Sequence, residues 1–390
     1  TGEMEHIDKE LLDGLMLNQA LLNGEAPGYM CHDEETEVLT DDGFKRLDLI
    51  HEEDKIMCFD KTSSSVRLES PHKLHTYDHD GELIHFSGKQ LDVMVTPNHK
   101  MLVRLQGSND WKTVLAEDVK PGMRFLAHSK YEPDFEIEDE IHIDETISIN
   151  TEKYFEYAGY YLSEGHMSCQ KGNYQISISQ SKKTRVLQTM ASCVGNMGMK
   201  YSEYDYDNRS TNSLTICNKK FVEHMKENFG SHAENKSIPP WMKNAPIPYL
   251  SILLKALLDG DGQTIVHQNT KNHVYTTISE DLADDVQEIA FKCGYNVRKV
   301  VHVDTSKDVN SKSRLLYRVK FSKGKWSKGN EPRLKKEHIS KVSYNGKVWC
   351  FSTSTGFFVT RRNGKIGIHG NSAQVGVETL IRRIEAWRTT

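Results

Sequence analysis

The stretch His369-Gly370-Asn371-Ser372 decides how this chain is read, once it is set beside Cys31 far upstream. It follows a strand-like run, Lys365-Ile366-Gly367-Ile368. An Asn-Ser pair alone is most often a turn, and a lone Cys is most often a small buried hydrophobe. The combination is different. The Cys31 thiol can attack the carbonyl of Met30, its own upstream peptide bond. The Asn371 carboxamide can attack its own carbonyl and cut the chain after itself. The Ser372 hydroxyl can hold an acyl group between these events. Three nucleophiles thus stand in the order that cutting and rejoining a backbone requires.

Composition bounds the rest. The 390 residues predict roughly two to three domains. With 37% hydrophobic and 27% charged residues, the composition is that of a soluble globular protein. A net charge of −5 singles out no partner, so any nucleic-acid surface must be local. No apolar run reaches the roughly 18 residues that span a bilayer. The acidic start, Thr1-Gly2-Glu3-Met4-Glu5, is no signal peptide, and without an initiator Met it reads as a fragment. Seven widely spaced cysteines form no CxxC pair, which suits a reducing cytoplasm rather than a disulfide framework or a zinc site.

Along the chain, Leu11, Leu12, Leu15, Met16, Ala20 and Leu21 predict a helix within residues 1–30, and Val375 to Trp387 predict another. From Cys31 the pattern turns to short strands: Glu37–Thr40 before Asp42-Gly43, then Lys55–Asp60, Glu82–Ser87 and Leu91–Val95. Residues 131–146 carry eight acids and no Lys or Arg, the composition of a solvated linker. Residues 150–325 alternate helices and strands. Their order recurs, and Ile178-Ser179-Gln180 is matched by Ile278-Ser279-Glu280, which predicts an internal duplication. After Lys336 short strands resume at Val342–Tyr344, Val348–Phe351, Phe357–Val359 and Ile366–Ile368, separated by Gly-containing turns. The fold class expected is therefore mixed β and α/β, with a β domain split by an insertion.

Two further motif sets accompany the nucleophiles. Thr96-Pro97-Asn98-His99 closes a strand-like run. Alone, such a pair is a strand-end turn with a surface His. Tyr157-Ala158-Gly159-Tyr160-Tyr161-Leu162-Ser163-Glu164-Gly165 and Leu254-Lys255-Ala256-Leu257-Leu258-Asp259-Gly260-Asp261-Gly262 are two helical segments with small residues, each ending in an acid and Gly. One copy would be an ordinary helix end. Two copies with matching elements after each are not.

On these residues the chain resembles an intein precursor, running from Cys31 to Asn371, and the helical pair resembles the two LAGLIDADG motifs of a homing endonuclease. The resemblance implies a Hint-type all-β horseshoe splicing domain, shared with hedgehog autoprocessing domains, interrupted by a pseudo-twofold α+β endonuclease. It divides the chain into an upstream host (extein) segment at 1–30, the first part of the splicing domain at 31–130, an acidic linker at 131–149, the endonuclease at 150–325, the second part of the splicing domain at 326–371, and a downstream host segment at 372–390.

It also implies roles. Cys31 makes the thioester, with Thr96 and His99 holding and polarising the upstream bond and His99 protonating the leaving amine. Ser372 takes the acyl group, Asn371 cyclises to a succinimide, and the ester rearranges to a peptide, with no cofactor. Inteins usually carry His before the terminal Asn, whereas this chain has Gly370, with His369 one place earlier. Gly cannot donate a proton, so assistance to Asn371 falls to another group, His369 being the candidate. Cys350 stands where many inteins carry Asp, and a buried structural thiol is the other reading.

For the endonuclease, the resemblance implies that Glu164 and Asp261 meet beneath DNA and hold Mg²⁺, a hard ion suited to oxygen ligands. Lys236, before Ser237-Ile238-Pro239, either polarises water and neutralises phosphate or is a linker Lys before a Pro turn. Ser177, Ser179, Gln180, Lys182, Lys183 and Arg185 are the candidate DNA contacts. The stripe Arg318–Lys336, with eight Lys or Arg, one acid, Phe321 and Trp326, is either a phosphate surface or a solvated connector. Expected partners are double-stranded DNA and the chain's own flanking segments, for a cytoplasmic monomer away from membranes. Two alternatives stay open: a splicing-competent intein whose endonuclease has decayed to DNA binding, and a hedgehog-like domain that cleaves without joining.

Overall fold

The computed structural model describes residues 30–105, 107–134, 136–170, 172–181, 186–205, 210–267, 270–304, 314–323 and 331–370. The helices expected upstream of Met30 and over Val375–Trp387 lie outside the described residues, as do Asn371 and Ser372. The chain is strand-rich with few helices, and it divides into two compact units, residues 1–127 with 331–390 and residues 128–330. None of the helices described is long and apolar enough to cross a membrane.

The first unit is built on one long ladder. Lys73–Ser87 and Ile339–Ser352 pair antiparallel from Ser352↔Lys73 to Ile339↔Phe86. Asp92–Val95 and the short strand His32–Asp33 close these two into a small barrel. The expected break near Gly346 is absent, because Gly346 stays in the ladder opposite His79. The expected strand at Glu82–Ser87 likewise runs back to Lys73. The polar sequence of that first half hides the strand, since there backbone pairing rather than apolar alternation carries it.

The barrel's buried residues include Cys31, Leu83, Met94, Val348 and Cys350. A second cluster joins Val38, Ile56, Cys58, Trp349, Phe351 and Phe358. The last hairpin, Phe357–Arg362 with Lys365–Gly370, turns through Asn363 and Gly364, at φ 48° and 68°. Asn-Gly tolerates these left-handed values, which match the twist of the flanking strands. The turn fixes the register Phe358↔His369 and so sends His369 inward, where it is fully buried.

Arg362 ties these strands together. Its guanidinium donates to Asp33 (3.0 Å), Asp92 (2.8 Å) and Glu35 (2.9 Å). Burial would raise the Asp92 carboxyl, but His85, Lys365 and Arg362 outweigh it and hold the group well below the usual carboxylate range.

The second unit repeats itself. The first half has a helix, Thr151–Glu164, then strands Gly165–Gln170 and Asn173–Ser181, a helix at Val186–Asn196, and strands Tyr201–Asp205 and Thr211–Ile216. The second half has a helix, Ile247–Asp261, then strands Gly262–His267 and Thr270–Thr277, a helix at Glu280–Lys292, and strands Asn296–Asp304 and Arg314–Ser322. In both, the second strand pairs with the first and the fourth, and the third pairs with the fourth. The acidic run is not an open linker throughout. Glu140–Asp144 and Ile147–Asn150 form a hairpin, in which Ile141 faces Ile149 and Asp144 accepts hydrogen bonds from Thr146 and Ile147 in the turn. Alternating Ile residues outweigh the charge count there.

Replacing Arg362 with Met leaves Asp33 buried without this counter-charge and strips Asp92 of one of its three partners, Lys365 and His85 remaining. A loss of about 3–5 kcal/mol is expected, the usual cost of breaking a buried pair. A fall in the urea midpoint of the first unit measures it. Because Asp92 is depressed in the folded state, its contribution is present above the ordinary carboxylate range and disappears as pH falls.

Candidate functional site

Cys31 lies at the mouth of the His32–Asp33 strand and is fully buried. Its backbone N–H donates to Thr96 Oγ1 (3.1 Å), and the Thr96 N–H donates to the Cys31 carbonyl (3.0 Å). Thr96 and Cys31 therefore fix each other across 65 residues of chain. The Cys31 Sγ sits 3.4 Å from the Cys350 Sγ, across 319 residues. Contact with Cys350, and then burial, push the Cys31 thiol far above its ordinary range. At rest Cys31 is a neutral thiol.

His99 follows Thr96 in the turn and is fully buried. Burial lowers it to about 4, while the backbone of Met30 is near enough to pull it up. Among the described residues, neither of its ring nitrogens makes a well-formed hydrogen bond. His369 is also fully buried and lowered to about 3, by burial and by the nearby His99. The structure thus brings Cys31, Thr96, His99 and His369 into one buried cluster, with Cys350 against the thiol.

The glycines of the last strand explain the unusual sequence there. A Cβ on Gly370 would meet Lys100 Cβ at 2.6 Å and the Lys100 carbonyl oxygen at 2.8 Å. Backbone cannot give way as a side-chain tip can, so residue 370 admits no side chain. A Cβ on Gly367 would meet His369 Nε2 at 2.3 Å. The imidazole of His369 therefore occupies the space over Gly367, within the cluster.

In the second unit, the two motif helices touch through small residues. A Cβ on Gly159 would meet Ala256 Cβ at 2.6 Å, and one on Gly260 would meet Ser163 Cβ at 2.4 Å. Ser163 Oγ donates to the Leu257 carbonyl (3.1 Å). Close approach delivers the two terminal acids to one place. Glu164 is raised to about 7, by burial and then by the charge of Asp261. Packed neighbours partly shield Asp261 from solvent and raise it to about 6, against the pull of Lys236.

Lys236 is buried beneath the end of the first motif helix. Its ammonium donates to the carbonyls of Tyr161 (2.8 Å), Leu162 (3.1 Å) and Gly165 (2.7 Å), all three N–H groups being used. These include carbonyls that a helix end leaves without partners. Burial lowers Lys236 to about 8. Gln180 turns its amide to Glu164 Oε1. Ser177 pairs with Thr215 Oγ1 (2.8 Å) and Ser179 with Ser213 Oγ (2.9 Å), on neighbouring strands of one sheet. Lys182, Lys183 and Arg185 lie outside the described residues, as does Trp326. Phe321 faces inward, against His273 and Tyr295, rather than joining the basic stripe.

No family model matches the chain. It is 22% identical, over 90% of its length, to the C-terminal section of a DNA-directed RNA polymerase subunit beta from Stigeoclonium helveticum, of which it covers 37%. It is 23% identical, over 68% of its length, to an ATP-dependent Clp protease proteolytic subunit from Chlamydomonas moewusii, of which it covers 28%. The chain therefore spans about a third of the length of these relatives. Among solved structures it is similar to a class 3 split intein, AceL NrdHF, at 11% identity and a TM-score of 0.31, over 88% of this chain and 99% of that one. It is also similar to the homing endonuclease I-DmoI in complex with DNA and Mn, at 14% identity and a TM-score of 0.32, over 44% of this chain and 90% of that one. At these scores neither likeness decides fold or function.

Three features of the site carry no sequence signal strong enough to find them. His32 joins the cluster only because the short strand turns it inward against Trp349. Arg362 looks like an ordinary charged strand residue until its three carboxylates are in place. Gln180 is singled out in the sequence as a DNA contact, and only the structure shows its amide donating to Glu164.

The acid pair predicts a titration. Asp261→Asn removes the charge that repels Glu164, so Glu164 falls below about 7, and ¹³C-detected carboxyl titration reads the shift. The sign for stability is fixed: a carboxyl raised on folding makes the unit lose stability as pH climbs from the ordinary 4.5 through about 7.

Proposed function

We propose that the segment from Cys31 to Asn371 is an intein that excises itself and joins its flanks, and that its insertion is a DNA homing endonuclease. The observation that carries the first half is the buried meeting of Cys31 with Thr96, His99 and His369 inside one strand-built unit. On this reading residues 31–130 and 326–371 form the Hint-type splicing domain, residues 131–149 connect to residues 150–325 as the endonuclease, and the flanks at 1–30 and 372–390 belong to a host. The relatives favour it as well. A polymerase subunit and a protease subunit share no activity, so an insert common to both hosts accounts for likeness to each.

The residues suggest the sequence of steps. Thr96 holds the Cys31 N–H, which orients the upstream peptide for attack by the thiol. His99, neutral at rest and beside Met30, gives the departing Cys31 nitrogen its proton. Cys350 keeps the thiol aimed and protonated until attack. Ser372 then takes the acyl group, and Asn371 closes on its own carbonyl with His369 as the nearby proton carrier. Splicing needs no cofactor.

For the endonuclease, Glu164 and Asp261 suit a divalent ion. Glu164, raised by burial and by the charge of Asp261, and Asp261, raised by burial, are both eased by a cation, and oxygen donors match Mg²⁺. When bound, that ion would activate water and stabilise the leaving oxygen. Gln180 orients Glu164, and Lys236 fixes the helix end while adding positive charge. Ser177 and Ser179 sit on the strands that would face double-stranded DNA, with Lys182, Lys183 and Arg185 beyond them as phosphate contacts. A chain that splices but only binds DNA remains the second reading, because the raised acids fit metal binding without fixing turnover.

Expression followed by intact mass should give a free intein and a joined product of residues 1–30 with 372–390. Cys31→Ala should stop joining, and Asn371→Ala should stop release of the downstream segment. Joined product from the double variant would falsify the assignment. A plasmid carrying the uninterrupted host site should be linearised with Mg²⁺, and Glu164→Gln or Asp261→Asn should lower that rate about 10³-fold or more, the scale of lost electrostatic catalysis. Binding without linearisation by the unaltered chain selects the second reading.

A further inference from the structure

His32 is the residue after the nucleophile, and nothing in the steps above uses it. Its backbone is pinned from both sides, opposite Trp349 on one strand and Val95 on the other. Its ring is fully buried. The centroid of that ring lies 4.5 Å from His99 and 6.0 Å from His369. Trp349 and Phe358, each at 5.5 Å, wall the group off. Trp349 is itself held by its Nε1, which donates to the Asp33 carbonyl (2.9 Å).

Among the described residues, no well-formed hydrogen bond reaches any of the six nitrogens of these three buried rings, although the Met30 backbone lies close to His99. Leaving one such atom unpaired in an interior is costly, and six grouped around one ring call for a shared explanation. At these separations a small ring rotation, or one bridging water, links neighbouring imidazoles. Resting on the splicing reading, we infer that His32 is a positioning residue that joins His99 and His369 into one proton-sharing set serving both cleavages.

The proton balance of the two steps allows this. Upstream, the bond from Cys31 Sγ to the Met30 carbonyl carbon forms and the Met30–Cys31 peptide bond breaks. The proton lost by the thiol ends on the Cys31 amine. Downstream, the Asn371 side-chain nitrogen bonds to its own carbonyl carbon and the Asn371–Ser372 bond breaks. The proton lost by the carboxamide ends on the Ser372 amine. Each step moves one proton and consumes none, so one proton held among three rings can serve first one end and then the other. The groups that act on the set are the Met30 backbone, which favours a proton on His99, and Lys100, whose charge disfavours one there. Trp349 and Phe358 contribute none. Burial and the two neighbouring imidazoles lower His32, so the set rests neutral and takes a proton only transiently.

The test separates the two cleavages. Thiol-induced upstream cleavage is measured in Asn371→Ala, and downstream cleavage in Cys31→Ala, each with His32, His32→Phe or His32→Gln, across the histidine range of about pH 4 to 8. Both His32 variants should slow both cleavages by about 10²-fold, the lower end of what a placed proton carrier contributes, and should move both pH profiles. Slower cleavage with unmoved profiles marks a structural role and overturns the inference, as does slowing of one cleavage alone. On the full chain with His32 intact and Cys31→Ala to prevent splicing, ¹⁵N titration should show the three imidazoles titrating as a coupled set. Independent titration overturns the inference even if a variant fails to fold. Absence of joined product from the unaltered chain is a failure of the splicing reading instead, and it shows before any His32 variant is made.

Discussion

The ladder between Lys73–Ser87 and Ile339–Ser352 is the constraint on which the first unit depends. It closes the barrel with the strand that carries His32, and it sets Cys350 against Cys31. Without that pairing the thiol has no neighbour and no enclosure. The last hairpin adds a second fixed register, which points His369 into the same interior. Arg362, between Asp33 and Asp92, locks the hairpin to the strands flanking the nucleophile. His32, Cys350 and His369 are thus held by strand pairing, while Cys31, Thr96 and His99 lie at strand ends and in the turn after Val95, tied in by the paired Cys31 and Thr96 backbone contacts.

The second unit solves a different problem with equal economy. Two carboxylates must be brought together despite their repulsion. Glycine and alanine at the crossing let the helices approach until their ends converge. The energy of packing two helices along their length sets against the cost of crowding two charges at one end. Glu164 shows that crowding, raised by burial first and then by the charge of Asp261, whereas Asp261 is raised by burial. Lys236 relieves part of it while closing the carbonyls of the first helix end, so one buried side chain does structural and electrostatic work together.

Much of this was legible in the sequence because its signals are local. The repeated helix with a terminal acid predicts the motif helices closely, and Asn363-Gly364 marks the last turn. The long ladder was legible only in part, because Lys73–Gly81 is polar and period-2 alternation fails where both faces are wet. The hairpin within the acidic run was masked by its charge. The candidate site divides in the same way. Thr96 and His99 are found from their spacing to Cys31. His32, Arg362 and the amide of Gln180 are not, since their partners arrive from strands and helices far away in the chain. Lys236 was singled out from its motif, but its bonding to helix carbonyls is a tertiary fact that spacing does not contain.

The contact between Gly370 and Lys100 also limits what can be built at this strand end. The obstruction at residue 370 includes a carbonyl oxygen, which every amino acid at residue 100 would carry. Trimming the side chain of residue 100 therefore cannot clear the space. Any larger residue at 370 requires the neighbouring backbone itself to shift, so the tolerance of this position is decided by main chain rather than by side chains.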